Sequence, residues 1–161
     1  MEKKYKLTEE SINVDGRTLY RIEALKDFSY IKKGDKGGFV EKEENLSQSG
    51  DCWIYGNAKV YDNAKIYDNA KVYWHAEVYG SAEISGDAIV CEDAKVYDYA
   101  EVFGDAKVYH NAVVCGYARV RGDAEVCGNA KVYDKAKVCD NVWVFGDAEV
   151  YGNAEIFAKT V

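Results

Sequence analysis

The chain has 161 residues, 48% of them hydrophobic, with 14 tyrosines and no proline. That length holds one ordinary domain, or one elongated repeat domain with a small appendage, and the missing proline suits a fold in which nearly every backbone N–H donates to a neighbouring strand. The net charge of −7 excludes a nucleic-acid backbone as partner, because neutralising phosphates requires a basic surface.

The N-terminus is charged from Glu2 to Lys6 and is not followed by the apolar run of a secretory signal. No stretch approaches the ~20 apolar residues that span a bilayer. A cytoplasmic protein without a membrane partner is expected. Between Ser11 and Ile22, Asp15 and Gly16 sit between alternating apolar runs, which is a strong hairpin signal. Residues 32–38 read as a flexible turn, with Gly34, Gly37 and Gly38. Residues 1–45 do not repeat and form a hairpin cap region. Its expected job is to cover the first coil of the repeat domain, residues 46–161, whose edge would otherwise present unpaired backbone.

From Ile54 the sequence recurs every six residues, from Ile54, Val60 and Ile66 through to Ile156, in an unbroken series of 18. Ala follows four residues after each of the first 17, with Val142 as the one exception. Between them lies a turn pair, with Gly or Asp at 14 of 18 first positions and Asn or Asp at 12 of 18 second positions. A helix cannot use this spacing, since six steps of about 100° scatter the valines over three directions. A strand can, because six is even and inward positions stay inward. Each unit is therefore a short strand such as 58–61 and a two-residue corner such as 62–63, with Val and Ala inward and Lys/Glu and Tyr outward. One unit cannot fold alone: ordering six residues costs roughly 6–12 kcal/mol, and burying one Val and one Ala returns about 2–4 kcal/mol. Coils must stack ~4.8 Å apart around one narrow core.

An aliphatic residue, a Gly/Asp–Asn/Asp pair and a small residue every six positions resemble the hexapeptide repeat of left-handed parallel β-helix proteins. The resemblance implies an all-β fold with three hexads per triangular coil, hence six coils, and frequent trimers. The run from Leu46 to Tyr55, preceded by Gly37 to Val40, is similar to hexapeptide proteins of bacteria and their phages, one of them labelled an acetyltransferase.

With 18 residues per coil the outward positions form columns. The first face carries Lys59, Glu77, Lys95, Val113, Lys131 and Glu149 beside a column of Tyr that includes Cys115, and reads as a self-stabilising ladder. On the second face Arg119 and Arg121 project together, with Tyr99 and Tyr117 at the corner leading in. This group is a candidate for an anionic ligand, against the simpler pairing of Arg119 with Glu101. The third face replaces charge with Ile89, Trp143 and Val161, beside Trp53, Tyr55, Tyr73, Tyr109 and Phe145, with Trp74 at its corner. So apolar a strip reads as a contact surface; cover by the N-terminal segment is its alternative. The repeat runs to Phe157 without a capping helix, which predicts self-association, as a trimer or as an end-to-end dimer through the C-terminal coil.

The five cysteines are odd in number and lie on different faces or two coils apart, beyond disulfide reach. They read as reduced thiols, Cys52 among them pointing into the core. The resemblance implies, for the enzymes of the family, a His general base near a subunit junction. The two histidines, His75 and His110, both fall on the corner after the third face, but no coil insertion builds an acceptor pocket. Two histidines and an outward Cys115 do not make a zinc site, and no cofactor motif appears. The expectation is a non-enzymatic scaffold or binding protein, with the phage resemblance implying a host protein as target. A minimal acyltransferase using His75 or His110 is the alternative, and a sponge for a small anionic metabolite is the third reading.

Overall fold

A computed structural model of the protein describes residues 2–158. It is an all-β parallel solenoid. Strands β1 (Tyr5–Val14) and β2 (Arg17–Ala24) form the expected antiparallel hairpin. Asp15 and Gly16 turn it at φ +50° and +83°, the left-handed pair that a two-residue hairpin loop needs. Strand β3 (Lys36–Val40) and a single 3-10 turn over Glu43–Asn45 follow. Then come 18 two-residue strands, from β4 (Trp53–Ile54), β5 (Lys59–Val60) and β6 (Lys65–Ile66) to β21 (Glu155–Ile156).

Residues 18 apart are register partners throughout the repeat, so Lys95 meets Val113 and Glu101 meets Arg119. Each coil therefore contributes one rung to each of three sheets. Ladder bonds link successive coils, as where Lys95 N–H donates to Ala112 O at 3.0 Å and Tyr97 N–H to Val114 O at 3.0 Å. Corners close on themselves, with Ala100 N–H donating to Tyr97 O at 3.3 Å. The core is a column of Val, Ile and Ala; the alanines from Ala58 to Ala136 have no exposed surface. Ala sits where the coil turns inward and a larger residue would overfill the prism. The Val142 exception lies near the last coil, where it is only partly buried.

The sheet under the first face has seven parallel rungs, one more than the six implied by the repeat count, because β3 joins ahead of β5. Gly37 and Gly38 lie inside this strand, not in a flexible turn; the turn itself is confined to residues 32–35, where Asp35 N–H donates to Lys32 O. Both glycines are needed for close approach. A Cβ on Gly37 would lie 2.5 Å from Ile54 O, and one on Gly38 would lie 2.5 Å from Ala58 O. Strand β2 pairs antiparallel with β3 and so covers the first parallel edge. Buried Asn45 ties this early rung to the repeat by donating to Asp62 O and Ala64 O. At the other end, β19 (Trp143–Val144), β20 (Glu149–Val150) and β21 are each the last rung of their sheet. No helix among the described residues is long and apolar enough to cross a membrane.

Candidate functional site

The first residue of nearly every corner adopts a left-handed conformation, with φ between +57° and +68° from Gly56 to Gly152. Gly adopts it freely and Asp tolerates it; bulkier side chains are strained there. Asp at this position has a job. Its carboxylate accepts the backbone N–H one coil further on, as from Asp62 to Gly80, Asp98 to Gly116 and Asp134 to Gly152, at 3.0–3.1 Å. Along this corner Asp and Gly alternate, which holds the carboxylates two coils apart and limits their repulsion.

The corner after the third face departs from that rule at three consecutive rungs: Trp74, Glu92 and His110, at φ +58°, +61° and +57°. Glu92 Oε2 accepts His110 N–H at 2.9 Å, and His110 Nδ1 accepts Gly128 N–H at 3.2 Å. Both residues thus do the work of the missing Asp. Nδ1 is occupied as an acceptor, so the ring proton sits on Nε2, 3.6 Å from the Glu92 carboxylate. His75 occupies the second corner position two coils before Asn111 and is exposed. Residues Glu92 and Asp93 fill the intervening rung, so the two histidines do not converge on one point. Glu92 was not singled out by sequence reasoning, although three breaks of the Gly/Asp rule in one column were countable there.

Trp74 differs from its two column mates. It is 57% exposed, carries the strained conformation, and its indole makes no hydrogen bond or ring contact among the described residues. Further along the third face, Trp143 and Phe145 are 60% and 61% exposed, with ring centroids 5.5 Å apart. They border an open apolar groove of about 340 Å³ that reaches Val150 and Ile156. Tyr109 donates to Glu125 at 2.8 Å, and burial followed by that bond raises its phenol pKa. Tyr55 and Tyr73 stack at 4.6 Å, and Ile89 is half-buried.

Trp53 does not belong to this surface. It is 1% exposed, because Phe28 and Tyr5 pack edge-on against its indole at 5.3 and 6.3 Å. The N-terminal segment therefore covers the first rung of the third face, reaches the second where Lys71 Nζ lies 6.0 Å from the Tyr30 ring centroid, and leaves the later rungs open. Val161 lies outside the described residues. On the first face the hairpin likewise covers Tyr61, which is buried with Leu19 and Phe39.

The second-face candidates are placed together only in part. Tyr99 and Tyr117 stack at 4.9 Å with planes 3° apart, over a groove that also includes Glu83, Glu101 and Arg119. Arg119 Nε lies 3.1 Å from Glu101, so the groove holds two carboxylates against one guanidinium, a poor balance for an anion. Arg121 is exposed and outside it.

All five cysteines are free thiols. Cys52 is buried, and its Sγ accepts from the buried Lys4 Nζ at 3.3 Å. Burial lowers the Lys4 pKa, opposed by Cys52 and Asp51. Among the described residues no group of three or more His, Cys, Asp or Glu is placed to hold a metal ion.

No family model matches the chain. The chain is similar to a protein of Escherichia coli K12 named uncharacterized acetyltransferase YdcK, 39% identical over 61 residues. That match covers 33% of this chain and 19% of the length of the relative. The six-residue repeat, the coil of three hexads and the 18-residue register make this chain a hexapeptide-repeat parallel β-solenoid protein.

Proposed function

We propose that the protein is a non-enzymatic scaffold whose third face, from Tyr73 and Trp74 to Trp143 and Phe145, binds protein. Trp74 carries this reading. A tryptophan held at positive φ, mostly in solvent, costs stability where Gly would not, and such a cost is retained where the side chain meets a partner. Self-association through this face and the last coil is the first form of the reading; a host protein docking there is the second.

A minimal acyltransferase is the competing reading, supported by the name of the E. coli relative. Against it stand the structural engagement of His110 and the separation of the two histidines. Two measurements test the proposal together. Sedimentation equilibrium should show concentration-dependent association that weakens about tenfold or more in a Trp74→Gly/Trp143→Ser variant. Incubation with acetyl-coenzyme A and amine or hydroxyl acceptors should show no transfer. Transfer that disappears in His75→Ala would overturn the reading, and so would a wild type whose assembly state ignores both substitutions.

A further inference from the structure

The second face contains a notch of about 220 Å³ lined by Tyr67, Glu83, Ser85, Glu101 and Phe103. Its origin is a missing ring. On the first face the outward tyrosines stack rung on rung, Tyr61 on Tyr79 at 5.0 Å and Tyr79 on Tyr97 at 4.9 Å. The corresponding column on the second face runs Tyr67, Ser85, Phe103, so the middle layer of a three-ring stack is absent. The other breaks in the aromatic columns are four cysteines and Arg121, and two of the cysteines have engaged sulfurs. Cys127 Sγ accepts the Trp143 indole N–H at 3.1 Å, and Cys139 Sγ lies 3.3 Å from Ile156 O. Ser85 leaves its layer open, one aromatic ring thick, since rungs repeat every ~4.8 Å.

The charge beside this gap is also unusual. Glu83 and Glu101 are direct register partners, and like charges opposite one another are destabilising. The first face avoids this by alternating Lys59, Glu77 and Lys95. Glu101 is shared with Arg119. Glu83 accepts the Tyr67 hydroxyl at 3.3 Å, has Lys65 as its other register partner, and forms no ion pair with it or with any other described residue. Two aromatic side chains lining the notch and a carboxylate without an ion pair at its edge suit a flat cation as the guest.

We infer that this notch binds a planar guanidinium or amidinium group, layered between Tyr67 and Phe103 in the place of the missing ring and donating N–H groups to Glu83. The molecule already uses both halves of this recognition. The Arg21 guanidinium lies 4.2 Å from the Phe39 ring centroid, and Arg119 engages the neighbouring Glu101. An ammonium group has the charge without the flat shape and fills the layer poorly. The site is on a different face from the proposed protein-binding surface and stands independently of it.

Titrations followed by NMR should use benzamidinium, Nα-acetyl-arginine amide and Nα-acetyl-lysine amide. At least one planar cation should saturate shifts of Ser85 and its neighbours, with the lysine compound several-fold weaker. Ser85→Tyr restores the ring that other repeats carry and should abolish binding; Glu83→Gln should weaken it roughly tenfold. Saturation by benzamidinium assigns the notch to a free small ligand, and saturation by the arginine amide alone assigns it to a partner's side chain. Failure of both planar cations, equal binding by lysine, or undiminished binding in either variant overturns the inference.

Discussion

His110 Nδ1 accepts the backbone N–H of Gly128 at 3.2 Å, as the Asp62 carboxylate does for Gly80 at 3.1 Å. An imidazole has thus been recruited as the acceptor that links one corner to the next. His110→Asn, which keeps an acceptor without setting a second carboxylate one coil from Glu92, should therefore leave stability nearly unchanged, whereas His110→Ala should cost about 1 kcal/mol, the value of one lost acceptor. Urea midpoints of the two variants check this. Equal losses in both would show that the ring does something other than accept that bond.

This role was not legible in the sequence, and the reason is physical. The bond joins residues 18 apart and depends on a left-handed corner, whereas sequence reading sees a His in a turn slot. What was legible follows from strict period. Val and Ala every six residues place themselves inside, so the three faces and the free cysteines could be written down residue by residue. The early rung was hidden because Leu46 pairs with Ile66, 20 residues on instead of 18; the irregular stretch before Trp53 breaks the phase. Trp53 shares a column with Trp143, and phase alone cannot tell which of the two is covered by Phe28.

Trp74→Gly should raise stability by about 1 kcal/mol. It relieves the left-handed penalty of a bulky residue and removes no hydrogen bond or ring contact among the described residues, against the added freedom of Gly in the unfolded chain. The same variant should lose protein binding, so stability and function move in opposite directions. A Trp74→Gly variant less stable than wild type would mean that the indole packs in the folded state and would remove the argument from strain.

Alkaline pH should unfold the protein progressively. Burial pushes the Tyr55 and Tyr97 phenols up to about 12 and the Cys91 thiol up to about 11. For each, the unfolded chain releases its proton first, so the stabilisation is intact below the unfolded pKa and is lost as pH rises through the folded one. The decline should begin near pH 9 with Cys91 and steepen from pH 10 to about 12. Lys4, whose pKa is lowered by burial, works in the opposite direction and is a single group. Melting temperatures across this range, with tyrosinate absorbance as the second signal, test the order. A flat profile to pH 12 would contradict the burial of these rings.

Gly37→Ala should destabilise the junction of cap and solenoid by about 2–3 kcal/mol or more. The added methyl would meet Ile54 O at 2.5 Å and the Ile22 side chain at 2.7 Å. The first partner is backbone held in a parallel ladder, so it cannot step aside without opening a rung. Hydrogen exchange should show protection lost first in β2 and β3, with the later coils unaffected.

Trp53→Ala separates core from surface on the third face. The indole is enclosed by Tyr5 and Phe28 and is 1% exposed, so truncation should cost about 3–5 kcal/mol. It should also loosen Phe28, whose turn is closed by paired bonds with Ile31 at 3.0 and 2.8 Å, and thereby free Tyr30 from its position above Lys71. Because the open rungs begin at Trp74, association measured at a temperature where the variant stays folded should match wild type. Trp143→Ser should do the reverse, weakening association at little cost in stability. If Trp53→Ala alone abolished association while Trp143→Ser did not, the contact surface would have to include the N-terminal cover, and the open part of the third face would lose its assigned role.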